Sequence, residues 1–436
     1  MSEKQNDFCK PNFPVTAVIL AAGQSKRMKT RKSKVLHKVC GTTLLEWVLR
    51  SAQDAGAAKN IVVINPQGDD IKAAFESWDL EWAVQEQQLG TADAVKAAER
   101  SLKNNLDSDV LIFYSDTPLL QAEALTRLLM ARRESGADAA ILTARVENPF
   151  GYGRVIKDTR NVMERRMVER IVEQRDATEE EKSISEINTG VYAISAKLLV
   201  DLLPKFGNDN AQGEYYLTDI VELVRKQSGT VLAVECSPEN ALGINTRDQL
   251  AQSNDLMRQR ILRRHMAAGV TILDPQSTHV EDGVEIGEDT TVLPFCVIRK
   301  GVKIGAGCEV GPFSHLREGT VLEEGAEVGN FMEVKKTVLG QGAKAKHLSY
   351  LGDAEIGAGA NIGAGTITAN YDGKNKHRTV IKDGAHIGSN CTLVAPVEIG
   401  KDATTGAGSV VTAGSNVKDG QVVVGVPAKP LKKKDS

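Results

Sequence analysis

The sequence predicts an α/β domain followed by a parallel β-coil of six-residue repeats, and two observations carry that prediction. Up to about residue 245, buried-type strands alternate with helical segments at short spacing, the pattern of a parallel sheet covered by helices. From Val280 onward an aliphatic residue recurs every six positions. A chain of 436 residues has room for two or three domains. The divisions expected are a leader over 1–14, the α/β domain over 15–245, a helical linker over 246–269 and the coil over 270–436.

The α/β elements follow in order. Val15 to Leu20 is a continuous apolar run, as in a strand buried on both faces. Leu44 to Ala55 has helical spacing, and Ile61 to Asn65 is a second buried strand. Gly90-Thr91 opens a helix expected to run through Arg100. Val110 to Tyr114 is a strand ending at Ser115-Asp116-Thr117-Pro118, Leu125 to Arg133 is helical, and Ala139 to Ala144 is a strand. Ligands of such sheets bind beyond the carboxyl ends of the strands, where the turn after Leu20 and Asp116 both fall. Asp248 to Met266 reads as the linking helix, stopped by Gly269, with Arg258, Arg260, Arg263 and Arg264 on a solvated or interdomain face.

In the coil the first run passes Val280, Ile286, Val292, Ile298, Ile304, Val310, Leu316, Leu322, Val328 and Val334. The second passes Ile381, Ile387, Leu393, Ile399, Val411, Val417 and Val423, with Thr405 in one slot. A period of six is neither helical nor that of a simple strand. It fits a triangular coil of short strands with the aliphatic residue inward and 18 residues per turn. Between the two runs the register slips by one near Leu339 and Ile356, then breaks from Ala369 to Arg378, and this broken region holds His347 and Asn370-Tyr371. Such a break in a regular scaffold suggests a site.

Composition excludes several classes. A net charge of -3 gives no global pull toward nucleic acid or an anionic membrane. Basic residues cluster only at Lys26 to Lys34 and in the tail Lys432-Lys433-Lys434. The six cysteines lack CxxC spacing, so neither a zinc site nor a disulfide framework is indicated, and buried thiols in a reducing cytosol are expected. The charged N-terminus is no signal peptide, and no apolar run reaches the ~20 residues of a membrane helix. A cytoplasmic location is expected.

The turn after the first strand carries the first chemistry. Small residues at Ala21, Ala22 and Gly23 allow backbone amides to approach a ligand. Lys26, Arg27, Lys29, Arg31, Lys32 and Lys34 follow within nine positions. They suit a polyphosphate, whose charge must be neutralised as a phosphoryl bond breaks, or a solvated basic loop. Asp116 at a strand end suits a helix cap or a Mg²⁺ bridging to phosphates.

Seven segments, in order across the first domain, together resemble the sugar-1-phosphate nucleotidyltransferases. They are Leu20-Ala21-Ala22-Gly23 with Arg27-Met28 and Lys34-Val35-Leu36-His37; Gln85 with Gln88-Leu89-Gly90-Thr91; Tyr114 to Leu119; Gly151-Tyr152-Gly153-Arg154; Ile171-Val172-Glu173; Glu186 to Gly190; and Gly243-Ile244-Asn245. The resemblance implies a Rossmann-like nucleotidyltransferase domain. Leu20, Ala21, Ala22 and Gly23 would pack on UTP, Arg27 and Lys34 would bind its triphosphate, and Gln85, Gly90 and Thr91 would hold the uracil. Gly153, Glu173 and Asn188 would hold N-acetylglucosamine 1-phosphate, and Asp116 and Asn245 would ligate Mg²⁺. The implied chemistry is in-line attack of a sugar phosphate oxygen on the α-phosphorus, expelling pyrophosphate. This chain departs from the family in having Ser25-Lys26 for Gly-Thr and Ser33 for Pro.

The coil resembles the hexapeptide-repeat acyltransferases, which implies a left-handed parallel β-helix and a homotrimer with sites between subunits. His347 would be the base for acetyl transfer from acetyl-CoA to the amine of glucosamine 1-phosphate. Arg317, Lys335, Tyr350, Asn361 and Lys376 would contact the acceptor sugar phosphate, and Ala364, Asn370, Tyr371, Ser389 and Ala407 would line acetyl-CoA. An arginine that the family often places near the C-terminus is absent from Val424-Gly425-Val426-Pro427-Ala428-Lys429, where Lys429 or the lysine tail stands in reserve. From residue 15 onward the chain is most similar to the bifunctional N-acetylglucosamine-1-phosphate uridyltransferases/glucosamine-1-phosphate acetyltransferases. Those enzymes make UDP-N-acetylglucosamine, a precursor of bacterial cell wall and lipopolysaccharide. Two alternatives are a monofunctional nucleotidyltransferase with a structural coil, and a non-catalytic subunit like those of a guanine-nucleotide exchange factor. Retention of His347 and Ser389 speaks against the first, and Arg27, Lys34, Asp116 and Asn245 against the second.

Overall fold

The computed structural model describes residues 11–23, 26–30, 32–157 and 167–431, with Lys26 given by its backbone alone. The leader residues 1–10, Ser25, the Lys26 side chain, Arg31 and the tail Lys432-Lys433-Lys434 fall outside that description. The chain forms two compact units, Met1–Ser253 and Asn254–Ser436. The division falls inside the helix Arg247–Ala267, close to the span expected for the linker.

The first unit is built on one sheet. Its strands are β1 (Val15–Leu20), β2 (Lys59–Ile64), β3 (Glu81–Val84), β4 (Asp109–Tyr114), β5 (Ala139–Arg145), β6 (Arg154–Lys157), β7 (Val168–Val172), β8 (Glu186–Ser195) and β9 (Val231–Cys236). Their order is β9-β5-β8-β4-β1-β2-β3, with β6 joined to β8 and β7. All six residues of β1 are buried, as a central strand with apolar layers on both faces requires. The strand order reverses about β1, which pairs in parallel with β2 and with β4. There the turn after β1 meets the turn after β4: Ser115 donates to the Leu20 carbonyl from its amide at 3.1 Å and its hydroxyl at 2.8 Å.

Two expectations need correction. The sheet is mixed, because β8 runs antiparallel to both β4 and β5. A parallel return needs a crossover of a dozen or more residues, usually a helix. Between β5 and β8 the one helix among the described residues is the four-residue Glu179–Lys182, and the chain instead makes the β6–β7 pair. The helix opened by Gly90-Thr91 does not run unbroken to Arg100. It stops at Ala97, and a second begins at Glu99.

The second unit is a coil of three sheets with ten, eight and seven strands, one sheet per face, parallel throughout except for the last strand of the ten-stranded sheet, Lys429–Pro430, which pairs antiparallel. Along one face, Thr291 pairs with Glu309 and Glu309 with Glu327, a separation of 18 residues. Glu327 to Lys344 and Lys344 to Asn361 are separations of 17. Asn361 to His386 is 25, and His386 to Thr404 is again 18. The two slips in the sequence are thus two short coils, and the break is one long coil. The inward residues are buried, including Thr368 and Thr405 where polar residues take an aliphatic slot. Ile286, on the first strand of its sheet, is the exception and is half-buried. Arg258 also departs from expectation. It leaves solvent to donate to the carbonyls of Pro275 and Thr278 at the start of the coil, and pairs with Asp255 at 2.5 Å.

Candidate functional sites

In the first unit two adjoining cavities open at the carboxyl end of β1. One, of about 290 Å³, is lined by Leu20, Ala21, Ala22, Gly23, Lys34, Gln85, Gly90, Thr91 and Asp116. Every residue expected to contact UTP except Arg27 is in that lining. The other, of about 560 Å³, is lined by Arg27, Asp116, Gly153, Glu173, Asn188 and Asn245 among others. Asp116 borders both, so one carboxylate faces the junction of the two cavities.

At that junction, Lys34 Nζ donates to Asp116 Oδ2 at 2.5 Å and to Asn245 Oδ1 at 3.1 Å. Lys34 is carried by the 3-10 helix Lys34–Leu36, Asp116 by the turn after β4, and Asn245 by the segment before the long helix. The Ile244 amide donates to the Asp116 carbonyl at 2.9 Å, which ties the segment carrying Asn245 to the turn carrying Asp116. One carboxylate and one amide oxygen converging on a cation fit Mg²⁺, which takes one or two protein oxygens and completes its shell with phosphate and water. A closed cage of three or more His, Cys, Asp or Glu side chains is not found among the described residues.

The end of the first cavity lined by Gln85, Gly90 and Thr91 is tied to the segment around Tyr215. Gly90 has φ +128° and lies against the backbone of Tyr215, where a Cβ would collide. The Ala92 amide donates to the Tyr215 carbonyl, and the Tyr215 amide to the Leu89 carbonyl. The Thr91 hydroxyl accepts from the Leu217 amide at 2.9 Å and is also in side-chain contact with the Tyr114 hydroxyl. In the larger cavity the Asn188 amide donates to the Gly153 carbonyl at 2.9 Å. The Asn188 side chain is used on both ends, donating to the Tyr192 hydroxyl and accepting from the Gly190 amide. Burial raises the Glu173 carboxyl above the ordinary range, against a lowering hydrogen bond from Thr218. Burial also drives the Tyr114 phenol far above its usual value.

Sequence reasoning missed several residues here. Gln88 donates to the Ala22 carbonyl at 2.6 Å and pins the glycine-rich turn, while Tyr114, Ser115 and Glu214 complete the lining. Gln88, Tyr114 and Ser115 stand inside motifs already recognised, so their neighbourhood was signalled. Glu214 comes from a segment without a motif.

In the coil the expected residues separate into two groups. The pairings Lys344 with Asn361, Asn361 with His386, and His386 with Thr404 place His347, Ala364, Ser389 and Ala407 three residues beyond each partner. They form one column along one corner. Asn330 precedes them in the column, paired in register with His347, and its Oδ1 lies 3.2 Å from His347 Nδ1. This residue also escaped the sequence reading, although it lies one 17-residue coil before His347. Asn361 lies on the strand leading to that corner.

The second group lies at the far end of the next strand. Lys335 and Lys376 are in side-chain contact, and the Lys335 ammonium is pushed below its usual range by Lys376 first and Arg317 second. Arg317 also pairs with Glu333 at 2.5 Å. Tyr350 sits on the same face, with its hydroxyl over Gly352. Three clustered cations, against Glu333 beside Arg317 and Asp353 near Lys335, leave a net positive charge that suits a phosphate. Lys376 comes from the long coil's loop, a small hairpin closed by a Tyr371–Lys376 bridge. Asp372 organises that hairpin by accepting from the amides of Lys374 at 2.8 Å and Asn375 at 2.7 Å and meeting His377 Nε2 at 2.6 Å. Those bonds, the Asn375 amide foremost, hold the Asp372 carboxyl down at about 2. Asn370 is buried and donates from Nδ2 to Asp353, while Tyr371 is exposed. Lys429 pairs directly opposite Val424 on the final antiparallel strand pair.

Comparison with known proteins bears on both units. Residues 17–185 match a MobA-like NTP transferase domain, and residues 283–318 and 378–413 match the bacterial transferase hexapeptide of six repeats. The chain is 44% identical over 435 residues to the bifunctional protein GlmU of Pelobacter propionicus, covering 91% of this chain and 93% of that one. It is 42% identical over 431 residues to the GlmU of a Geobacillus species, with 91% and 92% covered. It is 45% identical over 430 residues to that of Fervidobacterium nodosum, with 91% covered in each. The chain belongs to the GlmU family of bifunctional proteins. As in that family's pairing of domains, the first unit is a Rossmann-like NTP transferase and the second a left-handed parallel β-helix of hexapeptide repeats.

Proposed function

We propose that this GlmU-family chain makes UDP-N-acetylglucosamine in two steps, acetyl transfer in residues 270–436 and uridylyl transfer in residues 15–245. The observation that carries the reading is that one chain holds both constellations, the Lys34–Asp116–Asn245 junction between two cavities and the His347 column.

For acetyl transfer, the amine of glucosamine 1-phosphate attacks the thioester carbonyl of acetyl-CoA. The C–N bond forms, the C–S bond breaks and CoA leaves as the thiol. With Nδ1–H directed at Asn330 Oδ1, His347 Nε2 carries the lone pair that takes the amine proton. Arg317, Lys335 and Lys376 hold the sugar phosphate. Separation of this cluster from the His347 column favours a site shared with a second copy of the chain. So does the exposed stack of Phe295, Phe313 and Phe331, with centroids 4.7 and 5.3 Å apart, which we assign to a homotrimer.

For uridylyl transfer, an oxygen of N-acetylglucosamine 1-phosphate forms a bond to the α-phosphorus of UTP, and the bond to the pyrophosphate leaving group breaks. Asp116 and Asn245 would hold Mg²⁺, which when bound supplies charge neutralisation at the phosphates. Arg27 and Lys34 bind the triphosphate, Gln85, Gly90 and Thr91 orient the uracil, and Gly153, Glu173 and Asn188 position the sugar. Buried free cysteines, and the lack of any helix long and apolar enough to cross a membrane among the described residues, accord with the cytoplasm.

The test is to supply glucosamine 1-phosphate, acetyl-CoA, UTP and Mg²⁺ and then omit each in turn, following CoA thiol and pyrophosphate. Pyrophosphate release that needs acetyl-CoA, with thiol release that does not need UTP, is the expected order. Thiol release without pyrophosphate, or neither, refutes the bifunctional reading.

A further inference from the structure

The base end of the nucleotide cavity contains a contact that the reading of Gln85 as a uracil partner does not use. Gln85 is 5% exposed and sits at the cavity wall. Its Nε2 donates to the Gly90 carbonyl at 3.0 Å and to Asp93 Oδ2 at 2.8 Å. A side-chain amide has two N–H donors, and both are engaged. The group left for a ligand is therefore Oε1, which can only accept. Uracil offers one donor on its pairing edge, N3–H. Cytosine presents a lone pair at N3, which an amide oxygen repels.

We infer that Asp93 is a specificity-determining positioning residue: by holding the Gln85 amide with its oxygen toward the cavity, it selects uracil over cytosine. The inference rests on the proposed uridylyl transfer and on Gln85 as the base contact. An amide is otherwise free to turn by half a rotation, exchanging donor for acceptor at almost no steric cost. Gly90 alone would resist that rotation through one bond. Asp93 adds a charge-assisted bond, the stronger kind, from an acceptor that cannot itself become a donor while ionised. Asp93 lies in the first turn of the helix Thr91–Ala97, where any carboxylate favours the helix N-terminus. That role would affect stability without regard to the base, so base selectivity is the readout that separates the two.

The experiment measures kcat/KM for UTP and for CTP with N-acetylglucosamine 1-phosphate in the full chain, Asp93→Asn, Asp93→Ala, Gln85→Ala and the double variant Asp93→Ala/Gln85→Ala. Asp93→Asn keeps the shape but can present either an oxygen or an NH2 to Gln85, so the carboxylate no longer dictates which end of the amide faces the base. The UTP:CTP ratio is expected to fall at least tenfold in Asp93→Asn and in Asp93→Ala, with thermal unfolding recorded to confirm folded protein. Adding Asp93→Ala to Gln85→Ala should change the ratio no further, since Asp93 acts through that amide. An unchanged ratio in both folded Asp93 variants, while Gln85→Ala lowers UTP use, overturns the inference and leaves the base contact standing. A Gln85→Ala enzyme with undiminished UTP preference overturns the base contact itself.

Discussion

Replacing Lys34 by methionine should make the stability of the first unit depend on magnesium. The Lys34 and Asp116 side chains are 14% and 15% exposed, so their 2.5 Å pair is largely out of water. Removing one partner of a buried pair costs about 3–5 kcal/mol, because the remaining charge stays desolvated without its counterpart. The residual exposure of both groups places the expected loss near the lower end, about 3 kcal/mol. With the ammonium gone, Asp116 and Asn245 still converge on the same point, and a divalent cation can take it. At about a hundredfold excess over its dissociation constant, Mg²⁺ would then return about 2.7 kcal/mol. In the unaltered chain the ammonium already occupies that place, and the response to Mg²⁺ without nucleotide should be much smaller. Urea unfolding followed by tryptophan fluorescence is suited to the measurement, since Trp47, Trp78 and Trp82 all lie in the first unit. An equal response to Mg²⁺ in both proteins, or a Lys34→Met variant as stable as the parent, would refute the placement of a cation between Asp116 and Asn245.

The other expectations concern the second unit. His347→Ala should slow acetyl transfer about 10²–10⁴-fold while leaving uridylyl transfer unchanged, measured as CoA thiol and pyrophosphate release; an unchanged acetylation rate removes His347 as the base. Arg317→Ala should raise KM for glucosamine 1-phosphate roughly tenfold with little change in kcat, because it withdraws one of three clustered cations from ground state and transition state alike. His265 is 7% exposed, its Nε2 has no hydrogen-bond partner, and burial holds its pKa down at about 4. Between the unfolded value near 6.5 and that lower value the unfolded chain binds a proton that the folded one refuses, so stability falls as pH drops. The loss should reach about 2 kcal/mol at pH 5 relative to pH 7.5. Circular-dichroism unfolding of His265→Gln should show that slope flattened.

Legibility of the sequence differed between the two units for physical reasons. In the first, β1 and β4 announce themselves as uninterrupted apolar runs, and the chemistry follows at their carboxyl ends, so Gly23, Lys34 and Asp116 could be placed together before any coordinates. The direction of β8 could not, because burial on both faces selects apolar residues whichever way a strand runs. Gln85 could be named as a base contact, but the orientation of its amide depends on Asp93 eight residues on and on the carbonyl of Gly90, which carries no sequence signature. In the second unit the six-residue period gives the inward residues directly, down to the threonine at position 405. Neighbours across coils are visible only once the coil length is known. Asn330 lies beside His347 because that coil has 17 residues rather than 18, and a strict count of 18 would put Gly329 there instead.

Those irregular coils fall at one corner. The inward slots Val334 and Leu339 are five residues apart, as are Leu351 and Ile356, while Thr368 and Ile381 are thirteen apart. All three departures from six therefore lie where the chain leaves the face of Tyr350 and enters the face of Glu355, in three successive coils. The first short corner carries Lys335 and turns through Lys336 at φ 48°; the second turns through Asp353 at φ 50°. Left-handed backbone is costly for residues with a Cβ, so each shortened corner is held against a local preference. The long coil then supplies what the short ones receive: Asn370 donates to Asp353, and Lys376 reaches Lys335. A coil of uniform 18-residue turns would stack identical corners and bring no loop back over its neighbours. Removing one residue from two corners and adding seven to the third places Arg317, Lys335 and Lys376, residues 59 positions apart at their extremes, around one point. The periodicity builds the wall, and its three departures gather the three cations at one corner.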